Sequence, residues 1–258
     1  MGASVSGHRA EAPLVVEDLT VTYDRHPAVH HVSCRFEPGS LTAVVGPNGA
    51  GKSTLIKTLI GLLKPAEGRV STGGLGRADI AYLPQQADID RSFPISVADT
   101  VALGHWRRVG ILRRLTGVMR HQVTEALSAV GLEGFENRAI GSLSVGQFQR
   151  VLFARLLLQD ASVILLDEPF NAIDAKTTAD LLALVDRWHG EKRTVVAVLH
   201  DMEQVRGHFP NTVLMARELI AAGPTATCLT PEHLRRARHM SERWDEGAAV
   251  CEPVRRRA

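Results

Sequence analysis

Apolar and polar positions alternate over Leu14 to Tyr23 and Val29 to Phe36, the pattern of half-buried strands, with Asp24-Arg25-His26-Pro27 as the turn between them. This pair predicts an N-terminal antiparallel β subdomain. Leu41 to Val45 then runs without alternation into a glycine-rich loop, and the periodicity changes to that of a helix over Ser53 to Leu63. Lys64-Pro65 ends it, because proline cannot continue a helix. Apolar residues at helical spacing recur over Val118 to Val130 and Gln147 to Leu158. Val163 to Asp167 reads as a strand, Thr177 to His189 as a helix, and Thr194 to Leu199 as a strand ending in His200. Short strands apolar on both faces, alternating with helices, imply a parallel sheet covered on both sides. The fold class is therefore α/β, with a helical subdomain at about 90–160 inserted in the core. The expected organisation is a flexible leader over 1–12, one domain over 13–237, and an arginine-rich tail over 238–258.

Composition narrows the function. Of 258 residues, 45% are hydrophobic and 22% charged, a globular balance. Thirty basic against 28 acidic residues leave +2, too near neutral for nucleic acid as a main partner. No apolar run approaches the ~20 residues that span a bilayer. Met1 to Pro13 lacks the basic start and apolar stretch of a secretory signal. Cys34, Cys228 and Cys251 are far apart with no CxxC, which fits a reducing cytosol.

The chemistry is concentrated in a few segments. Gly46-Pro47-Asn48-Gly49-Ala50-Gly51-Lys52-Ser53 satisfies GxxxxGK[ST] between a predicted strand and a predicted helix. Such a loop turns successive backbone N–H groups toward phosphate oxygens, and the helix adds its positive N-terminal end. Lys52 is placed to reach the β- and γ-phosphates, Ser53 to ligate Mg²⁺, and Thr54 to touch the α-phosphate. Asp167 closes an apolar strand and suits the Mg²⁺ shell; Glu168, one residue on, projects differently and suits the attacking water. His200 ends another buried strand at the edge where ligands bind, and reads as a γ-phosphate contact. Ser144 is an N-cap for the helix after Leu143-Ser144-Val145-Gly146-Gln147, a second phosphate-facing helix end.

In this order the segments resemble the nucleotide-binding subunit of an ABC transporter, over about Leu14 to Leu234. Tyr23 matches the adenine-stacking aromatic, Gly46 to Thr54 the Walker A loop, and Gln85 the Q-loop. Leu143 to Gln147 match the signature, Asp167 and Glu168 the Walker B pair, Asn171 to Asp174 the D-loop, and His200 the switch histidine. The resemblance implies a P-loop ATPase using ATP and Mg²⁺. Two copies would pair head to tail, so that Ser144 and Gly146, with Gln147, meet the partner's nucleotide and Asp174 lies at the shared site. Gln85 would link Mg²⁺ and water to the helical insertion, where an integral membrane permease docks. A solute-binding protein would act indirectly, and the chain would be cytoplasmic, peripheral on the inner face of the membrane. One position departs: Val145 stands where the signature has its first glycine.

Phe93-Pro94-Ile95-Ser96-Val97 and the Phe170 after Asp167-Glu168-Pro169 are similar to the zinc and manganese uptake branch, and both are expected where the permease acts. An importer for another solute, such as a siderophore or an amino acid, is the alternative; a soluble ABC ATPase outside transport is a further one. The five arginines from Arg107 to Arg120 read as a solvated basic face, with lipid headgroups or a permease as the alternative contacts.

Overall fold

The computed structural model describes residues 12–23, 26–76, 78–86, 89–106 and 115–242. The expected leader up to residue 11, the turn residues Asp24 and Arg25, residues 107–114 of the arginine cluster, and the tail from 243 onward lie outside the described residues. The chain forms two compact units: one holds Pro38–Ser40 and Leu75–Ala197, the other Ala12–Glu37, Leu41–Gly74 and the chain from Val198 on.

In the second unit, β1 (Leu14–Tyr23) pairs antiparallel with β2 (His26–Phe36) and with β4 (Glu67–Ser71), in the order β2-β1-β4. This is the expected antiparallel subdomain, enlarged by a strand the sequence pattern did not reveal. His26 and Pro27 belong to β2, opposite Tyr23 and Thr22, rather than to the turn. Pro27 is tolerated because it stands near the strand's start. The same unit places β3 (Leu41–Val45) parallel to β8 (Asn211–Ala216), and β8 antiparallel to β9 (Glu218–Pro224). All five β3 residues are buried, as a strand covered on both faces requires.

The helix after the glycine loop, α1 (Lys52–Leu59), ends four residues earlier than its periodicity predicts. Gly61 adopts φ 72 and donates to Thr58 O at 2.9 Å, while Leu62 N donates to Lys57 O at 2.9 Å. A left-handed glycine closing the last turn in this way satisfies the terminal carbonyls and turns the chain away.

In the first unit β5 (Ile80–Leu83), β6 (Val163–Asp167) and β7 (Thr194–Val198) lie in the order β5-β6-β7. Between β5 and β6 the chain inserts α2 (Val97–Ala102), α3 (Gly117–Ala129) and α4 (Val145–Gln159), the expected helical subdomain. Ser96 caps α2, Thr116 caps α3 and Ser144 caps α4, each accepting a first-turn amide. Apolar residues of α4 at 148, 151, 152, 153 and 156 are buried, each worth about 1.5–3 kcal/mol of transfer free energy. Asp160 ends α4 with φ 49, and Arg193 Nη2 pairs with its carboxylate at 2.6 Å. Helix α5 (Ala175–Gly190) brings Trp188 against Phe153, ring centroids 5.7 Å apart and nearly parallel. In the second unit α6 (Met202–His208), α7 (Thr225–Cys228) and α8 (Pro231–Glu242) are the helices that follow among the described residues. Among the described residues no helix is long and apolar enough to cross a membrane.

Candidate functional site

The glycine loop leaves the end of β3 and enters α1 through Gly51, whose φ of 87 makes it a left-handed N-cap with no side chain to offer. The N-cap thus supplies no side chain to the first-turn amides, the arrangement of helix ends that bind anions. A Cβ on Gly51 would fall on the Ala28 carbonyl oxygen, and one on Gly46 on the Met215 carbonyl oxygen. Glycine is required at both because strand backbone abuts the loop. Lys52 is buried, and its Nζ donates to Gly46 O at 3.0 Å and Pro47 O at 2.9 Å. These carbonyls hold the ammonium along the loop. Thr54 is buried and Ser53 half-buried on the first turn of α1.

Arg217, at the β8–β9 turn with φ 63, fastens this loop. Its N–H donates to Ala50 O at 2.9 Å, its carbonyl accepts from His30 N at 2.8 Å, and its Nη1 donates to Pro27 O at 3.0 Å. His200 follows Leu199, whose N–H donates to Val44 O at 3.1 Å, so the histidine is anchored one backbone bond from the strand that feeds the loop. His200 is exposed, and Asp201 beside it caps α6 by accepting from Glu203 N and Gln204 N. Tyr23 is exposed at the end of β1.

The first unit holds the remaining expected residues. β5 and β6 are parallel, with Leu83 opposite Leu166, so the chain beyond each leaves the sheet at the same end. That register brings Gln85 to Glu168: its Nε2 donates to Glu168 Oε2 at 2.8 Å. Asn171 Nδ2 donates to the same oxygen at 3.2 Å. Glu168 has φ 51, an uncommon backbone state for a residue with a side chain and one that neighbours must enforce. Asp167, the last β6 residue, is only 1% exposed.

The α4 N-terminus is a complete capping box: Ser144 Oγ accepts from Gln147 N at 3.2 Å and Gln147 Oε1 accepts from Ser144 N at 3.0 Å. Val145 occupies the first helical position, half exposed, where a β-branched side chain fits a helical φ. Asp174 caps α5, accepting from Thr177 N and Thr177 Oγ1 at 2.8 Å each. The backbone donor first, then the hydroxyl, holds its carboxyl below the usual range. An ideal Cβ on Gly146 would lie 3.5 Å from both Asp174 Oδ2 and Thr177 Oγ1, so α4 and the α5 cap meet at that glycine.

Several residues were not singled out from sequence. Arg150 donates to Val130 O (2.9 Å), Thr177 Oγ1 (3.2 Å) and Asp180 Oδ2 (2.7 Å), joining α4 to the cap of α5. Arg91 donates to Leu143 O and lies over the Phe148 ring, 4.8 Å from its centroid, bracing the segment that leads into α4. Gln86 and Gln149 form a further link treated below. Phe170 corrects an expectation: it is 8% exposed and stacks on Phe153 at 6.4 Å, so core packing explains its aromatic ring rather than a partner surface. Phe93 does remain at the surface, 63% exposed. Arg120, the described member of the arginine cluster, donates to Leu115 O at 3.1 Å.

A phosphate loop rising from a buried strand, a helical insertion opening on a capped helix end, and a carboxylate held by the glutamine of the neighbouring strand define a nucleotide-hydrolysing cassette. The chain belongs to the ABC transporter family, which it matches over residues 29–171, and it is an ATPase of that family. It is 38% identical over 226 residues to the manganese transport system ATP-binding protein MntA of Synechocystis, covering 85% of this chain and 87% of that one. The zinc transport system ATP-binding protein TroB of Treponema pallidum is also 38% identical over 226 residues, covering 86% and 85%. Among solved structures, an ABC transporter in an inward-facing conformation superposes with a TM-score of 0.78 at 30% identity, over 90% of this chain and 89% of that chain. The dimeric ATP-binding cassette MJ0796 bound to ADP and phosphate gives 0.72 at 27%, over 82% and 98%.

Proposed function

We propose that this chain is the ATP-binding and hydrolysing subunit that energises an importer of a divalent metal, zinc or manganese. Gly46 to Thr54 take the triphosphate, Lys52 addresses its β- and γ-phosphates, and Tyr23 stacks on the adenine. Glu168 orients the attacking water and accepts its proton as the bond from the γ-phosphorus to the bridging oxygen breaks, leaving ADP and phosphate. The Gln85–Glu168 bond, 2.8 Å long, carries this reading, because it ties the carboxylate that follows β6 to the glutamine that follows β5 and so fixes where that carboxylate points. His200 contacts the γ-phosphate.

Ser53, Asp167 and Gln85 are the residues that would hold Mg²⁺: a hydroxyl, a buried carboxylate and a side-chain amide are hard oxygen donors of the kind this ion takes beside substrate phosphates. When bound, Mg²⁺ neutralises charge on the β- and γ-phosphate oxygens. Two copies pair head to tail, with Ser144, Gly146 and Gln147 of one facing the nucleotide of the other and Asp174 beside it. A membrane permease and, through it, a solute-binding protein complete the assembly, which puts this chain on the inner face of the membrane. The metal assignment draws on the manganese and zinc relatives named above.

The test is growth of a deletion strain under metal chelation, complemented by wild type or by Glu168→Gln. Zinc or manganese should relieve the deletion defect, wild type should complement it, and the variant should not. Relief only by a sugar, an amino acid or an iron chelate removes the metal assignment; complementation by Glu168→Gln removes the base assignment.

A further inference from the structure

Gln149 is the fifth residue of α4, 2% exposed among apolar neighbours. Its Nε2 donates to Pro169 O at 2.6 Å, and its Oε1 accepts from Gln86 Nε2 at 2.6 Å. Gln86 also donates to Val145 O, in the first turn of the same helix, at 3.2 Å. Two consecutive residues after β5 therefore address two consecutive residues after β6: Gln85 reaches Glu168 directly, and Gln86 reaches Pro169 through Gln149.

A buried primary amide is costly unless its donor and acceptor are both used, and when both are used it rigidifies its surroundings. Glu168 needs such support, since its φ of 51 persists only where neighbours over-determine it. The bond from Gln149 fixes the carbonyl of the residue that follows Glu168. Gln149 also stands on the helix whose N-terminus carries Ser144, Val145 and Gly146.

We propose that Gln149 is a positioning residue for ATP hydrolysis, locking the turn that carries Glu168 to the first turns of α4 so that the base is aligned only while that helix is seated. This rests on the reading of Glu168 as the base. A packing role alone would make activity follow stability. A positioning role separates them.

Gln149→Met keeps the volume and removes both of its bonds, and Gln86→Met removes the bonds to Gln149 and Val145 from a half-buried site. Turnover, KM for ATP with Mg²⁺, and Tm are measured on the full chain for each variant, for the double variant, and for Glu168→Gln. In Gln149→Met we expect kcat to fall roughly 10- to 100-fold, the scale of a small misplacement of a reacting group, with KM within about twofold. Gln86→Met falls in the same direction by less. In the double variant kcat stays as low as in Gln149→Met, whether or not Tm changes, because Gln86 acts through Gln149. A kcat within twofold of wild type in Gln149→Met, or recovering with Tm in the double variant, overturns the proposal. Should Gln149→Met fail to fold, an unchanged kcat in Gln86→Met overturns it and a lowered kcat at normal Tm supports it. Loss of turnover in Glu168→Gln with normal turnover in the glutamine variants sinks only the positioning role. Normal turnover in Glu168→Gln sinks the base assignment itself, and the positioning role with it.

Discussion

Replacing Gly51 by alanine adds one methyl group where the phosphate loop has no room. A Cβ there falls far inside contact distance of the Ala28 carbonyl and 2.9 Å from Val29 Cγ2. The carbonyl belongs to β2 and cannot rotate away, so α1 or the strand has to shift. The left-handed backbone adds its own cost for alanine, about 1–2 kcal/mol, and forcing a methyl into packed surroundings adds about 1–3 kcal/mol. Gly51→Ala should therefore lose roughly 2–5 kcal/mol of stability in sum. Gly49 supplies the control: its φ is 73, yet nothing lies within 4 Å of its ideal Cβ. Gly49→Ala bears the backbone cost alone, and the gain from a less flexible unfolded chain is common to both variants. Urea unfolding followed by circular dichroism, without nucleotide, should rank Gly51→Ala below Gly49→Ala by about 1–3 kcal/mol. Stability is the proper readout, since both glycines lie in the loop proposed to take the phosphates. Equal destabilisation would refute the close approach of β2 to the loop.

Three further outcomes can be measured. Ser144→Ala removes the hydroxyl that accepts Gln147 N and should cost about 1 kcal/mol in urea unfolding; no loss would mean that the capping box does not form in solution. Val145→Gly should fold and bind nucleotide as wild type does, because Val145 sits half exposed at the first helical position; aggregation on expression would show instead that the side chain is needed as core. Burial pushes the Cys34 thiol up to about 12, so the folded chain keeps a proton that an unfolded thiol releases near 8.5. Stability should accordingly fall as pH rises from about 9 toward 12, by up to about 1.4 kcal/mol per unit from this group; thiol labelling at pH 9, mapped by mass spectrometry, should leave native Cys34 unmodified, and rapid modification there would contradict its burial.

The segments proposed for catalysis were legible because their chemistry is local. Lys52 and Ser53 follow their glycines directly, Asp167 and Glu168 end an unbroken apolar run, and Ser144 precedes its helix by one residue. Long-range pairing was not legible in the same way. β4 (Glu67–Ser71) is largely exposed and contains a glycine, and β9 (Glu218–Pro224) is a half-exposed partner of β8; neither alternates clearly enough to read as a strand. The helix after the phosphate loop looked longer because Leu62 and Leu63 continue its spacing, whereas Gly61 decides its end. Gln149 was invisible for a different reason. A glutamine on an amphipathic helix reads as a solvated residue, and only the meeting of three segments reveals that its amide is enclosed. Phe170 misled in the other direction: an aromatic ring beside an acidic pair suggested a surface for a partner and proved to be packing for Phe153.

The bonds of Arg217 bear on how the molecule breathes. Its amide donates to Ala50 in the phosphate loop while its carbonyl accepts from His30 in β2, so the loop cannot part from the β8–β9 turn without exposing main chain in both. Amide hydrogens at Arg217 and His30 should therefore exchange with solvent together, through one sub-global opening that includes the loop's attachment at Ala50. Anything that clamps the loop in its folded form slows that opening by mass action. The occupancy of the phosphate site is thus legible as protection of two backbone amides, one in a strand and one in a hairpin turn, neither of which lies in the phosphate loop itself.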